Sequence, residues 1–209
     1  ALERGRAAYV GTAIAEYFRD KGKRVLLLLD SVTRFAKALR DVALVGGEPA
    51  ARGGYPLSVF SALPRLFERA GNSDRGSITA FYTVLVDEEL ADPIGEEVRS
   101  ILDGHLYLSR KLAAANHFPA IDVLASASRI MPRLAQPAHL RSATLLRKYL
   151  DKYQDVEPLL QAGEYNRGSD PGADEAIRTM PVIRSLLQQS PDELTAFEES
   201  VTALTRILK

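Results

Sequence analysis

The sequence predicts an α/β fold, with a mostly parallel sheet in residues 1–135 and an all-helical domain in residues 136–209. Two observations lead to this prediction. Apolar and β-branched runs alternate with helical patterns up to about residue 135, which is typical of a parallel sheet with helices between its strands. Beyond that point no run is typical of a strand, and long helical patterns are separated by turn residues.

The composition excludes several classes of protein. The 209 residues carry 27 basic and 27 acidic side chains, so the balance argues against a nucleic-acid-binding protein that depends on bulk positive charge. The chain has no cysteine, which excludes disulfides, thiolate nucleophiles and cysteine-based metal sites. The longest purely apolar run, residues 25–29, is far shorter than the about 20 residues that a membrane-spanning helix needs.

The first elements are a helix over residues 6–21 and a strand over residues 24–29. Because the apolar residues of this strand do not alternate with polar ones, we expect both of its faces to be buried. A second helix is predicted over residues 32–44. Glycine and proline then indicate a loop over residues 46–56.

The next elements complete the predicted sheet. Pro56 is expected to open a helix that reaches residue 70. Strands are predicted at 77–86, 104–109 and 120–126. Between them we expect an acidic loop at 87–97 that leads to a short helix, and a further short helix at 110–118.

Three helices are predicted in the C-terminal part. The first covers residues 138–162 and is closed by Gly163, and the second covers residues 173–189. The last helix is expected to begin at Ser190, because Ser190 and Glu193 form a capping-box pattern around a proline. Its expected apolar stripe consists of Leu194, Phe197, Val201, Leu204 and Leu208.

An acidic residue, Asp30, directly follows the first buried strand. A carboxylate at this position lies at the C-terminal edge of a parallel sheet, where open α/β folds bind their ligands. Such an acid can hold Mg²⁺ through water, because magnesium keeps much of its hydration shell. The pattern alone leaves a second interpretation open, in which Asp30 caps the following helix.

Longer stretches of the chain resemble the ATPases of type III secretion systems, which share a superfamily with the catalytic subunit of rotary ATP synthases. The resemblance lies in "LLLLDSVTRFAKALRDVAL", "GEPAARGGYPLSVFSALPRLFERAG", "GSITAFYTVLV", "DPIGEEVRSILDGHLYLSRKLA", "HFPAIDVLASASRIMP" and "GEYNRGSD". It covers essentially the whole chain in order. The residues of "SVTRFAKALRDVAL" are more similar to injectisome ATPases than to flagellar export ATPases. It implies that residues 1–135 are the C-terminal part of a RecA-like P-loop NTPase domain.

The resemblance implies roles for three residues. Asp30 matches the Walker-B acid of the family and would hold Mg²⁺ through water. Arg34 matches an arginine on the γ-phosphate side of the same site; alternatively it is a surface arginine that pairs with Asp41 or another acid. Arg129 matches an arginine finger that enters the nucleotide site of a neighbouring subunit, a task suited to a planar, permanently charged guanidinium; alternatively it caps the end of a strand.

The loop over residues 46–56 resembles the family loop that faces the central pore. Arg52 and Tyr55 would then contact a stalk or a passing substrate, and the alternative is an ordinary flexible connection. The helical C-terminal part resembles the face that docks the stalk, the chaperones and the cargo. The family places aromatic residues around adenine in the region that matches residues 185–190, and this sequence has none there.

A phosphate-binding loop of the pattern G-x-x-x-x-G-K-[ST] does not occur in the sequence. In the family this loop and the catalytic glutamate precede the part that corresponds to residue 1, and Glu3 does not match that glutamate. We therefore expect the sequence to be a C-terminal part of a longer ATPase and to be inactive alone.

The function implied by the resemblance is that of a cytoplasmic homohexameric ATPase at the inner-membrane face of a type III secretion apparatus. It would use ATP and Mg²⁺ to release chaperones and to unfold exported cargo. Its partners would be a central stalk protein, a peripheral stator protein and chaperone–effector complexes. The alternative is a noncatalytic module that docks stalk or chaperone. A helicase, and nucleic acid as a partner, are disfavoured by the neutral charge.

Overall fold

A computed structural model describes residues 1–86 and 92–207 of the chain. Its contacts divide the chain into two compact units, residues 1–102 and residues 103–209. The predicted division between residues 135 and 136 stays a prediction. Part of the predicted acidic loop, residues 87–91, and Leu208 of the predicted stripe lie outside the described residues.

The first unit combines helices with a small sheet. Its elements are α1 (Leu2–Asp20), β1 (Arg24–Leu29), α2 (Val32–Val45), a 3₁₀ turn (Arg52–Gly54), α3 (Leu57–Phe67), β2 (Gly71–Asn72), β3 (Ser77–Tyr82) and α4 (Pro93–Ile101). The strand order is β1-β3-β2, with β1 parallel to β3 and β2 antiparallel to it. The predicted first strand and the predicted parallel pairing are confirmed here, and Leu29 pairs with Tyr82 at the C-terminal edge.

One face of this sheet is open in the described part of the chain. Leu26 and Leu28 of β1 are 62% and 68% exposed, and Phe81, which pairs with Leu28, is 53% exposed. The intervening residues Val25 and Leu27 are half-buried. The prediction that both faces of β1 are buried is therefore wrong for this structure, because the described helices cover one face of a three-stranded sheet.

The core of the first unit lies between α2, α3 and α4. Apolar residues recur along each helix at helical spacing, so each helix turns one stripe inward. The side chains without any solvent exposure are Val32, Ala36, Val59, Leu63, Leu66 and Ile94. This packing fixes the start of α2, which directly follows the C-terminal edge of β1.

The second unit has a two-stranded sheet followed by helices. Its elements are β4 (Gly104–Leu108), α5 (Arg110–Ala114), β5 (Ile121–Ser128), α6 (Met131–Leu134), α7 (Pro137–Ala162), α8 (Pro171–Leu187) and α9 (Phe197–Ile207). Strands β4 and β5 are antiparallel, so they form the exception within the predicted mostly parallel arrangement. The helix between them, α5, has only five residues. The Ser109 N–H donates to the Ala120 carbonyl at 2.8 Å, so β5 begins directly beside the end of β4.

The helical C-terminal part is confirmed, with two corrections. Gly163 ends α7 at φ 72°, a left-handed conformation that glycine adopts without strain. The last helix does not begin at Ser190, because α9 starts at Phe197. The Ser190 N–H and the Glu193 carboxylate do meet at 3.3 Å, but they close an isolated turn. Leu194 is 96% exposed, so its predicted place in a buried stripe is also wrong.

Within the described ranges 1–86 and 92–207, no helix is both long and apolar enough to cross a membrane.

Candidate functional site

Asp30 lies at the C-terminal edge of the sheet, where β1 and β3 end side by side. Its carboxylate accepts a hydrogen bond from the Thr83 hydroxyl at 2.8 Å. The Thr83 N–H donates to the Leu29 carbonyl at 3.1 Å, and the Thr83 carbonyl accepts from the Val32 N–H at 2.9 Å. The parallel register therefore holds Thr83 beside Asp30, and the Asp30 carboxylate stays exposed at the edge.

Ser31 caps the helix that follows. The buried Ser31 hydroxyl accepts a hydrogen bond from the Arg34 N–H at 3.3 Å, which satisfies one of the free N–H groups at the start of α2. The alternative in which Asp30 caps α2 is therefore wrong, and the Asp30 carboxylate is available for another role.

Arg34 projects from the first turn of α2 and is exposed. The alternative that pairs it with Asp41 is wrong, because the Asp41 carboxylate lies 3.0 Å from the guanidinium of Arg40. In the part of the chain that the structure describes, the guanidinium of Arg34 forms no ion pair. Asp30 thus lies at the end of β1 and Arg34 in the first turn of the helix that directly follows it.

The donor set fits magnesium only in part. Across residues 1–86 and 92–207, no group of three or more His, Cys, Asp or Glu side chains could hold a metal ion. Magnesium bound to a nucleotide does not need such a group, because one or two carboxylates complement its waters and the substrate phosphates. Asp30 can fill that role, whereas no residue run in the sequence forms a phosphate-binding loop.

Arg129 directly follows β5 and is exposed. Its N–H donates to the Asp103 carbonyl at 2.7 Å, which extends the pairing of Gly104 with Ser128 by one further hydrogen bond. The Ser128 hydroxyl then accepts from the Met131 N–H at 3.2 Å, where α6 begins. Hydrogen bonds therefore hold the main chain at Arg129 itself and at the residues before and after it.

The loop over residues 46–56 is held in place at several points. Arg52 forms ion pairs with Glu96 and, at 3.7 Å, with Glu97 on α4. At Gly53, where φ is 58°, an added Cβ would lie 2.4 Å from the side chain of Pro93. These contacts argue against an ordinary flexible connection.

The two predicted pore-loop residues differ in accessibility. Arg52 is half-exposed, so a partner can still reach its guanidinium. Tyr55 is 8% exposed, and its ring packs against Phe60 and beneath the guanidinium of Arg40. Burial accordingly raises the pKa of the Tyr55 hydroxyl. The contact predicted for Arg52 stays a prediction, whereas the Tyr55 ring belongs to the core.

Sequence reasoning missed Thr83 and Arg147. Thr83 holds Asp30 through a contact between residues 53 positions apart. Arg147 on α7 donates to main-chain carbonyls of Val123, Leu124 and Ser126 in β5. No local pattern identifies either contact, since both depend on how distant elements pack.

Two family descriptions match the chain. Residues 1–128 match the ATP synthase alpha/beta family, nucleotide-binding domain. Residues 135–206 match the T3SS EscN ATPase C-terminal domain.

Individual relatives agree with these matches. A type 3 secretion system ATPase from Xanthomonas euvesicatoria is 58% identical over 207 residues, which cover 99% of this chain and 47% of that relative. The assembled ATPase EscN from the enteropathogenic E. coli type III secretion system superposes with a TM-score of 0.96 at 53% identity, covering 100% of this chain and 51% of that one. EscN in complex with its central stalk EscO gives a TM-score of 0.92 at 52% identity. The match covers 100% of this chain and 50% of that one.

These relatives confirm the predicted fold class, a RecA-like α/β part followed by a helical part. The chain spans about half the length of the relatives that it matches. Since the first family description covers more than half of its residues, the chain belongs to the ATP synthase alpha/beta family, and the predicted resemblance to type III secretion ATPases is confirmed.

Proposed function

We propose that this chain is part of an ATPase that powers type III protein secretion. In this proposal Asp30 and Arg34 serve the metal and γ-phosphate side of one nucleotide site, and Arg129 serves the site of a neighbouring subunit. The observation that carries the proposal is an exposed carboxylate, held by Thr83, at the sheet edge where α/β folds bind ligands, with the exposed Arg34 in the first turn of the helix that follows.

Each residue has a separate task in ATP hydrolysis. Asp30 would hold Mg²⁺ through water, and the ion would supply positive charge to the phosphates. The Thr83 hydroxyl keeps the Asp30 carboxylate in one orientation. Arg34 donates charge-assisted hydrogen bonds to phosphate oxygens. Arg129 stabilises charge that develops on the transferred phosphoryl group.

The proposal extends to assembly and location. EscN, which is similar over this whole chain, is described both as an assembled ATPase and in complex with a central stalk. We infer that this chain likewise belongs to a homohexamer that contacts a central stalk protein, a peripheral stator protein and chaperone–effector complexes. The hexamer would lie in the cytoplasm, peripheral to the inner membrane, at the secretion apparatus.

A test of the nucleotide site is the change Arg34→Ala in the full-length protein. We expect the kcat/KM of ATP hydrolysis to fall about 10- to 100-fold, because hydrogen bonds to charged groups contribute about 1.5 to 3 kcal/mol. The matched control is Lys37→Ala, which removes an exposed cation from the next turn of the same helix. Steady-state phosphate release measures both variants, and equal rates in the two would contradict the proposed site.

The second candidate function is a noncatalytic docking module, and the missing phosphate-binding loop favours it for the 209 residues alone. We expect these residues to hydrolyse no ATP, because main-chain N–H groups and the lysine of that loop hold the phosphates. Calorimetric titration with Mg-ATP measures the affinity. Micromolar binding by the 209-residue chain would contradict this prediction.

A further inference from the structure

The ladder between β4 and β5 is interrupted before it reaches Arg129. The two strands pair at Tyr107 with Asp122 and again at His105 with Ala127, so the register shifts between these pairs. The buried Ser126 hydroxyl fills the interruption. It accepts a hydrogen bond from the Tyr107 N–H at 3.0 Å and donates to the Asp122 carbonyl at 2.5 Å.

Strand β5 therefore bulges over residues 123–126, and such bulges re-aim the chain that follows. The bulge is held from within by the Asp122 carboxylate, which accepts from the Ala125 N–H at 2.9 Å. Main-chain carbonyls in the bulge are turned away from the regular ladder and need donors from elsewhere.

One side chain, Arg147 of α7, supplies those donors. Its guanidinium donates to the Val123 carbonyl. It also donates to the Leu124 carbonyl at 2.9 Å and to the Ser126 carbonyl at 3.2 Å. A guanidinium carries five N–H donors in a fixed plane, so it can hold several carbonyls at once, which a lysine ammonium cannot do in the same geometry.

The bulge sets the position of Arg129. After Ser126 the ladder resumes with Ala127 and Ser128, and the next residue is Arg129. Any change in the bulge is therefore passed along two paired residues to the main chain of Arg129, which the Asp103 carbonyl anchors at 2.7 Å.

We propose that Arg147 is a positioning residue for Arg129: it fixes the bulge of β5 and thereby the place from which Arg129 reaches the neighbouring nucleotide site. This inference rests on the proposed function of Arg129. Arg147 itself contacts main-chain carbonyls of β5 and acts on the reaction through Arg129.

The test uses the full-length protein with Arg147→Gln and, as a matched control, Arg141→Gln, which changes an exposed arginine of the same helix. We expect Arg147→Gln to lower kcat about 100-fold, because a small misplacement of a catalytic group can cost that much, and to leave KM nearly unchanged. Arg141→Gln should keep normal turnover. Arg147→Lys keeps the charge and should show an intermediate rate.

Mixed assemblies separate positioning from a general loss of structure. Arg147→Gln subunits mixed with Asp30→Asn subunits should regain turnover, because some interfaces then combine an intact Asp30 with an Arg129 that Arg147 still positions. Mixed with Arg129→Ala subunits they should stay inactive, since neither subunit then supplies a working arginine. A subunit that is merely misfolded would give no recovery with either partner, and that result would overturn the inference.

The remaining outcomes are also distinct. If Arg147→Gln does not assemble, the same two mixtures are made with Arg147→Lys, and the same contrast is expected. Normal turnover of both Arg147 variants beside an inactive Arg129→Ala overturns the inference and leaves the proposed function intact. Normal turnover of Arg129→Ala instead overturns the proposed role of Arg129.

Discussion

Replacing Arg129 by alanine in the full-length protein is expected to lower the rate of ATP hydrolysis about 10³- to 10⁵-fold, the range found for arginine fingers in related nucleotidases. Nucleotide affinity should change little, because the guanidinium meets charge that develops in the transition state. Single-turnover hydrolysis and equilibrium nucleotide binding measure the two quantities separately. Arg129→Lys should restore little activity, because a point charge cannot reproduce the planar fork.

The proposed action of Arg129 in the nucleotide site of a neighbouring subunit has its own control. Assemblies that mix Arg129→Ala with Asp30→Asn subunits should be more active than assemblies of either variant alone. Each variant must first be shown to assemble like the unchanged protein. If the mixed assemblies stay inactive although both variants assemble, Arg129 does not act across a subunit boundary.

The change Leu63→Ala is expected to lower the free energy of unfolding by about 2 to 5 kcal/mol, the usual cost of removing a large buried side chain. Leu63 has no solvent exposure and lies in the middle of α3, within the core that α2, α3 and α4 share. The truncation removes apolar contacts and leaves a cavity that the neighbouring helices can close only in part. Urea unfolding followed by circular dichroism measures the loss.

Leu57→Ala is the matched control for Leu63→Ala. It makes the same chemical change in the same helix, but Leu57 is 66% exposed. Its effect should stay within about 0.5 kcal/mol, as is usual for surface substitutions. Equal losses for the two variants would show that the change in helix propensity, and not burial, determines the result.

Local sequence patterns predicted the bounds of a segment correctly where charged residues or a glycine stand at its ends. The apolar run of β1 is bounded by Lys23 and Arg24 on one side and Asp30 on the other, and its predicted bounds match the structure. Gly163 ended α7 as predicted, because a left-handed residue after a helix is best supplied by glycine.

Other features depend on contacts that no local pattern contains. The sequence of β1 is apolar throughout, yet its burial depends on which elements cover each face. The antiparallel return of β5 depends on the short helix α5 and on the pairing of Ser109 with Ala120. The capping-box pattern at Ser190 formed a turn, but the helix started later.

Contacts at the candidate site also went beyond what the sequence could predict. The candidate residues followed from the family resemblance and from the end of a strand. The Thr83 hydroxyl on Asp30 and the Arg147 guanidinium on β5 could not be predicted, because each joins segments distant in sequence. The burial of Tyr55 was missed for the same reason: the loop that carries it packs against Phe60 and Arg40.

The open face of β1 has a consequence for the behaviour of the chain in concentrated solution. Among the strands of residues 1–86 and 92–207, β1 is the edge strand of its sheet, and it presents Leu26 and Leu28 to solvent beside Phe81. Short apolar strands with an unpaired edge are templates for intermolecular pairing and aggregation. The charges that bound the strand, Lys23 and Arg24 before it and Asp30 after it, act as gatekeepers because they keep the apolar run short. Asp30 therefore limits this exposed apolar run as well as serving the proposed nucleotide site.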